Sequence, residues 1–582
     1  MSPCSRYPVK TARDVASKEF DYVVIGGGTA GCVLASRLSE NLKHRTLLVE
    51  RGPVIDGWLS NVPLVSSNFS DQKAPVYKWQ STPLKGLGGK SLTLVTGKAL
   101  GGSTKMNGLI YSRSVPGEYN AWEQAGRKNW GWQHVEPFFK KSEDSLSHGH
   151  SLSRGNKGPW QNQSVKKEHF ESVRTNIKIA VDHGIPLVKE ANDPAAPAVV
   201  CTPLDATIDR DKHRCSTDVA FLPRSLAAER ENLFICVETL CTSLDVKHTD
   251  DGQPRVVGVY LEADSDATER YHVSVTKEAI LCAGAIATPQ LLLLSGIGPE
   301  QHLKQVGVPV LKNLPGVGFH LQDHISVPLV FKTPLDDSIE VLMGKPLTAV
   351  GQFLKYIFSG KGILGQQVQQ ANIVLRSALL DDSSQLHSMQ PEELDGYNPL
   401  NIPDIEIMFL PVNTTGQQFD GLAKSFGGFS YLCSVLRPKS FGSVQLNSLD
   451  PRQQPLSDVG TLSDEEDRVP IRKALRLALT LAAKVRASGY PLEDLLVPAS
   501  ADDKVLDDFV RDNIMSTYHY SCSCRMDDLE QMGVVDDELR VHGVRGLRIA
   551  DASVFPEIPA CHLQAPVVMI AERCAQFILD QV

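Results

Sequence analysis

The sequence predicts an α/β protein in which a Rossmann-like nucleotide-binding domain is interleaved with a second, α+β domain carrying an antiparallel sheet. Three observations carry that expectation. A chain of 582 residues exceeds one ordinary domain. Near the N-terminus a glycine-rich turn stands between a β-branched run and a helical pattern. Features of the same kind return at the far end, in Leu547-Arg548-Ile549-Ala550-Asp551, after a middle section of different character.

Taken in order, Asp21-Tyr22-Val23-Val24-Ile25 is an apolar run that stops at glycines, the pattern of a buried strand entering a turn. Over residues 29–40 the spacing becomes helical, with Val33, Leu34 and Leu38 on one face. Thr46-Leu47-Leu48-Val49 is a second strand and closes a β-α-β unit at Glu50. Residues 51–95 read as long excursions rich in Gly, Pro and Ser, before a second glycine cluster at 97–108. Strand-length runs follow within 232–246, 256–261 and 273–282. The middle, from about 330 to 490, mixes strands such as Ile405-Glu406-Ile407-Met408-Phe409 with helices such as 472–486. Residues 379–403 are polar and read as an exposed loop or lid.

Composition narrows the function classes. A 42% hydrophobic and 22% charged chain is that of a soluble globular protein with a large core. The net charge of −9 leaves no basic surplus for phosphates, which argues against a nucleic-acid partner. The first twenty residues hold no apolar run of signal-peptide length, and the twelve cysteines are scattered singly. A cytoplasmic protein with reduced thiols is the expectation. The uncharged stretch 279–298 is broken by Gly284, Pro289, Gly296 and Gly298, and reads as strand, turn and helix rather than a membrane span.

Gly26, Gly28 and Gly31 form G-x-G-x-x-G directly after the first strand. Gly26 allows the tight turn, Gly28 lets backbone approach a pyrophosphate, and Gly31 permits close helix–strand packing. Thr29 and Ala30 then open a helix whose free N–H groups and dipole face the anion. Glu50 follows Gly31 by 19 residues and is placed to accept hydrogen bonds from an adenosine ribose. The acid disfavours a 2′-phosphate and hence NADP. FAD and NAD stay open at this point.

Residues 97–107, Gly-Lys-Ala-Leu-Gly-Gly-Ser-Thr-Lys-Met-Asn, resemble the first signature of the glucose–methanol–choline oxidoreductases, and residues 284–298 match the second at every specified position. Arg214 to Pro223, Arg437-Pro438, Asp450-Pro451 and Asp551-Ala552-Ser553 are similar to further landmarks, in the right order from about residue 21 onward. The resemblance implies FAD. It implies that Gly101, Gly102, Asn107, Gly108 and Leu109 lie along the ribityl chain and isoalloxazine, and that Cys241 presents backbone to adenine. Asp551 and Ala552 fall where relatives meet the pyrophosphate and ribityl chain, and Leu563 is a further expected contact. Relatives that attach FAD covalently do so at the position of Met106, so non-covalent binding is expected. The implied division is 18–160, 200–330 and 530–582 for the FAD-binding domain, with 161–199 and 331–529 for the substrate-binding domain.

Side chains offer no hydride acceptor, so the flavin must carry the redox step while the protein removes a proton. A histidine suits that task because its pKa lies near neutrality. His519, within Thr517-Tyr518-His519-Tyr520-Ser521-Cys522, aligns with the family's catalytic histidine, and His562 with its second position, giving a His/His pair similar to that of glucose and aryl-alcohol oxidases. The expectation is an alcohol oxidase or dehydrogenase acting on the CH–OH group of a small hydrophobic or aromatic alcohol, with oxygen or another electron acceptor. A tailoring step in a biosynthetic pathway fits the same chemistry. The alternative is a non-redox or light-driven enzyme on this scaffold, hydroxynitrile-lyase-like or a decarboxylase. The chain departs from its relatives at Ser114 and Cys522, where glycine is usual, and at Tyr520 and Phe441; Tyr520, Cys522 and Cys561 are candidates to border the pocket. Cys522 and Cys524 lack further ligands at suitable spacing, so no metal site is expected.

Overall fold

Two seven-stranded sheets dominate the computed structural model, which describes residues 7–67, 74–164, 169–415 and 425–581. Across the first sheet the strands run Leu233–Cys236, Thr46–Val49, Glu19–Ile25, Asp266–Leu281, Pro254–Ala263 and Thr239–His248, and Leu547–Ile549 also pairs with Asp266–Leu281. The strands from Leu233–Cys236 to Asp266–Leu281 are parallel to one another, as is Leu547–Ile549; the last two pairings are antiparallel. Parallel strands need cover on both faces, and the runs around Val23 and Leu48 are accordingly buried throughout. The register sets Ile25 beside Val49 and Leu281, Val49 beside Cys236, and Leu281 beside Ile549. Five carboxyl ends therefore finish along one edge.

The second sheet is antiparallel, in the order Glu493–Leu496, Ile325–Thr333, Gly427–Val435, Ile405–Leu410, Ala371–Leu375 and Val200–Pro203, with Met515–Ser516 also on Ile325–Thr333. Side chains alternate faces along a strand. Ile373, Ile405, Ile407, Phe409, Tyr431 and Cys433 join a core with Ile471, Ala474, Leu475, Ala478, Leu481, Ala482 and Val485 of the helix Arg468–Ala487. Those helical positions recur at three and four residues, one face of a helix. The opposite face of the sheet carries Asn372, Glu406, Met408, Leu410, Leu432 and Ser434, and this is the face the chemistry uses.

Several sequence expectations meet adjustment here. The strand expected at 273–282 begins at Asp266, and the run 232–246 divides in two at Glu238, whose φ is +51°. Residues 379–403 are not an exposed loop throughout. Leu379, Leu380, Asn401 and Ile402 are buried, and Pro391–Leu394 is a short helix. Residues 279–298 form strand end, turn and the helix Gly284–Leu294 as expected. Among the described residues no helix is long and apolar enough to cross a membrane, and all eleven cysteines are buried and unpaired.

Candidate active site

The glycine fingerprint sits at the carboxyl edge of the parallel strands. Gly26 N–H donates to Val49 O (2.8 Å), Glu50 N–H to Cys236 O (2.8 Å) and Cys282 N–H to Ile25 O (2.7 Å), so each strand hands its turn to the next. Gly26 has φ +105°, and a Cβ there would lie 2.5 Å from Cys282 O; one on Gly31 would lie 1.8 Å from Gly26 O. At Gly28 a Cβ would meet nothing nearer than 3.8 Å. The helix Thr29–Leu38 starts at Gly28 without any side-chain cap, so the N–H groups of its first turn, Thr29 and Ala30 included, have no side-chain acceptor. Glu50 accepts from Gly27 N–H (2.8 Å) and Gly52 N–H (2.6 Å). Burial nevertheless pushes its carboxyl up to about 7 against those two bonds. Each oxygen keeps a lone pair for a hydroxyl donor. Thr239 N–H donates to Glu50 O (3.0 Å), which brings the buried Cys241 to the same edge.

The second glycine cluster closes onto the first. Gly101 N–H donates to Gly27 O (2.7 Å), and a Cβ on Gly102 would come within 2.7 Å of Gly28 Cα. Both adopt positive φ, +94° and +54°, as glycine permits. Beyond them Arg214 gathers the chain: its guanidinium donates to Thr104 O (2.9 Å), Asn107 Oδ1 (2.8 Å) and Asn107 O (2.7 Å) and to the hydroxyls of Ser66 and Ser67. Asn107 Nδ2 donates to Gln564 Oε1 (3.0 Å), tying residues 101–109 to the segment that carries His562 and the buried Leu563. Leu109 holds φ +69°, and Gly108 faces the Gln369 side chain. Met106 is buried.

Asp551 and Ala552 follow Leu547–Ile549 at the same carboxyl edge. The Asp551 carboxylate accepts from Gly284 N–H (2.8 Å), Thr288 Oγ1 (2.6 Å) and Ser553 N–H (2.8 Å). It therefore anchors the start of the second signature segment, at Gly284 and Thr288, to the segment that follows Leu547–Ile549, and Ala552 beside it is half-buried.

Two further segments place the histidines. The stretch after Met515–Ser516 runs beside Ile325–Thr333, with Gln322 and Ser521 exchanging backbone bonds of 3.0 and 3.1 Å. Cys522, Cys524 and Met526 then donate to Ala552, Ser553 and Val554 carbonyls at 2.8–3.0 Å. Between these clamps Tyr518 and Cys522 hold φ of +62° and +67°. The backbone N–H of His519 donates to Asp323 Oδ1 (2.8 Å), while Ser516 donates to Oδ2. The His519 and His562 ring centres lie 5.0 Å apart at 86°. His519 Nδ1 is 2.9 Å from His324 Nδ1, and His562 Nε2 is 3.3 Å from Glu406 Oε1, which also accepts from Asn372 Nδ2 (2.5 Å).

Burial lowers His519 well below the ordinary imidazole range, with His562 and His324 adding to the shift. His324 is likewise pushed down to about 3 by burial. Burial alone would raise Glu406, but His562 and Asn372 hold it below the ordinary carboxylate range. His519 is thus neutral, able to accept a proton, across neutral pH. Activity governed by it is expected to stay level through neutrality and fall only below about pH 6.5, as acid protonates the free imidazole. A kcat/KM profile with its acidic limb at or above that pH would contradict this. Stability has the same sign for both imidazoles: it is present above the unfolded pKa and lost as pH falls toward the lowered folded values.

A cavity of about 60 Å³ lies beyond His562, lined by Tyr111, Ser112, Asn372, Glu406, Cys561 and His562 among others. Next to it Ile110, Leu204, Met408 and Leu410 form a small apolar cluster, flanked by Leu432. Of the positions singled out in the sequence, Ser114 and Cys561 border this cavity. Tyr520 and Cys522 are packed into the two main cores instead, and Tyr520 Oη accepts from Val95 N–H (3.2 Å).

The residues present fit FAD. An uncapped helix start, an open Cβ position at Gly28 and a glycine pair in contact with it leave a backbone-lined cradle where a pyrophosphate would sit. Sequence reasoning missed Asp323, His324, Asn372 and Glu406. A signal for the last was there: one carboxylate inside Ile405-Glu406-Ile407-Met408-Phe409 is a charge in a strand otherwise fit for a core.

Comparison with known proteins agrees with this geometry. Two family models described as GMC oxidoreductase match residues 20–326 and 438–571. The mitochondrial choline dehydrogenase of Mus musculus is 32% identical over 99% of this chain and 91% of its own length. Dehydrogenase str4 of Strobilurus tenacellus is 32% identical over 98% and 95%. Among solved structures, a variant of the Aspergillus oryzae formate oxidase superposes with TM-score 0.85 at 25% identity, covering 97% of this chain and 99% of that one. A fungal aryl-alcohol oxidase shares the fold, with TM-score 0.80, 23% identity and coverage of 97% and 99%.

Proposed function

Because the chain belongs to the glucose–methanol–choline oxidoreductase family, FAD-dependent enzymes of alcohol oxidation, we propose that it oxidises the CH–OH group of a small hydrophobic or aromatic alcohol with His519 as general base. Bound non-covalently, FAD supplies the acceptor for the hydride leaving the carbinol carbon. Gly26, Gly28, Thr29, Ala30 and Gly31 would receive its pyrophosphate, Glu50 and Cys241 its adenosine end, and Gly101, Gly102, Asn107, Gly108, Leu109, Asp551, Ala552 and Leu563 its remaining length. The division into an FAD-binding domain around the parallel sheet and a substrate domain around the antiparallel one is part of the same reading.

One observation carries the proposal: two imidazoles meet at 5.0 Å, and the one expected to act as base is held neutral by burial. His519 would take the hydroxyl proton on Nε2, which makes no hydrogen bond among the described residues. His562, pinned through Nε2 by Glu406, would fix the same oxygen in line. The polar end of the alcohol would then face the histidines and its apolar part Met408, Leu410 and Leu432. The carboxylate partner of His562 favours a second reading, in which His562 takes the proton and His519 orients the oxygen. The test is a panel of aryl, aliphatic and amino alcohols mixed with the FAD-loaded protein without oxygen. Bleaching of the flavin by apolar primary alcohols is the expected result, and air or a quinone then restores the colour. A flavin that no alcohol bleaches would instead support the lyase or decarboxylase alternative.

A further inference from the structure

We propose that His324 is a positioning residue that fixes the tautomer of His519, accepting a hydrogen bond from His519 Nδ1–H and so keeping Nε2 free to take the substrate proton. The inference rests on the reading of His519 as the base. The two Nδ1 atoms are 2.9 Å apart and the rings stand at 80°, an in-plane contact of one ring with the other rather than a stack. Two nitrogens at that distance must share one proton, and which ring owns it decides whether His519 can act as a base. If His324 donated, the neutral His519 would carry its proton on Nε2 and present a donor to the alcohol. If His519 donates, Nε2 presents a lone pair.

A base at His519 requires the second arrangement, with His324 as the acceptor. It is 1% exposed, and its Nε2 is buried with no formed hydrogen bond. The neighbours that bear on the ring electrostatically are Glu406 and the Leu436 backbone, which favour its protonated form, and His562, which disfavours it. With its own proton on Nε2, neutral His324 has only an acceptor at Nδ1, and His519 donates. The backbone carbonyl of His324 is itself held by Thr517 N–H (3.1 Å) and Thr517 Oγ1 (2.8 Å), and the preceding Asp323 accepts from His519 N–H. The two rings are thus locked in register by the same loop. During the reaction the alcohol O–H bond breaks and an Nε2–H bond forms on His519. The Nδ1 proton stays in place, and its bond to His324 strengthens as the ring becomes cationic. A neutral partner stabilises that cation less than a carboxylate would, so His519 stays unprotonated at rest.

The direct test is solid-state ¹⁵N NMR of the FAD-loaded protein labelled in histidine, with His519 assigned by difference from His519→Gln. The expected result is a protonated Nδ1 and a bare Nε2 on His519 in the wild type, and mixed tautomers in His324→Leu. His324→Asn places a carbonyl oxygen near the position of Nδ1 and is expected to restore the wild-type tautomer. Anaerobic flavin reduction by the best alcohol of the panel should slow about 10- to 100-fold in His324→Leu, with little change in the half-saturating concentration and recovery in His324→Asn. A wild-type His519 protonated on Nε2 overturns the inference, as does a Leu variant with unchanged tautomer and rate. A His519 variant that still reduces its flavin would instead remove the base assignment, so the two failures are separable.

Discussion

Replacing His519 by alanine is expected to leave a folded, yellow protein whose flavin is reduced by alcohol about 10²- to 10⁴-fold more slowly. The fold should survive because the bond that seats residue 519 is made by its backbone: N–H to Asp323 Oδ1, 2.8 Å. The flanking left-handed residues Tyr518 and Cys522 are fixed by their own neighbours, Tyr518 N–H to Ser516 Oγ at 2.8 Å and Cys522 N–H to Ala552 O at 3.0 Å. Nothing in the glycine cradle touches the imidazole, so flavin content should match the wild type. The measurement is stopped-flow reduction without oxygen, with bound flavin counted by absorbance. His562→Ala belongs in the same series. If it is the more damaging of the two and abolishes the acidic limb, the reading with His562 as base is favoured. If His519→Ala reduces its flavin at the wild-type rate, His519 has no part in the proton transfer.

How much of this was legible beforehand follows from what each signal is made of. The dinucleotide edge was readable because its demands are backbone demands. Gly26, Gly31 and Gly102 stand where a Cβ would strike backbone atoms, so the residue type is dictated and leaves a mark in the sequence. The position of His519 was readable only through motif resemblance; one histidine among sixteen has no pattern of its own. His324 and Glu406 were not singled out, since their roles come from contacts across 195 and 156 residues of chain. No local spacing encodes such pairs. The inner and outer faces of the antiparallel sheet were equally hidden, because a strand buried on both sides, such as Ile405–Leu410, shows no polar alternation.

The departures from family pattern gain a physical meaning that the sequence did not supply. The family resemblance leads one to expect glycine where this chain has Ser114 and Cys522, and both positions have positive φ here, +61° and +67°. The backbone has kept the conformation glycine would favour and accepts the strain of a side chain, about 1–2 kcal/mol at each. At Cys522 the side chain is fully buried in the main core, and its apolar burial offsets part of that cost. Cys522 therefore reports on packing behind the loop that carries His519. Ser114 and Cys561 do border the cavity.

The two glycines of the fingerprint that look most alike in sequence should fail in opposite ways. Gly31→Val is expected to prevent folding, because its Cβ would lie 1.8 Å from Gly26 O and no flexible group can yield there. Gly28→Val has open space around its Cβ, with Gly102 Cα at 3.8 Å the nearest atom, so the polypeptide itself has no reason to object. The space belongs to the ligand. This variant should be soluble, colourless and no less stable than wild-type protein stripped of FAD, while lacking the rise in melting temperature that added FAD gives the wild type. The comparison isolates the cradle from the fold, since the two residues are three apart on one turn of chain and differ only in what their missing side chains would meet. Gly28→Val protein that retains stoichiometric flavin would show that the phosphates lie elsewhere, and the assignment of this edge as the dinucleotide site would fall with it.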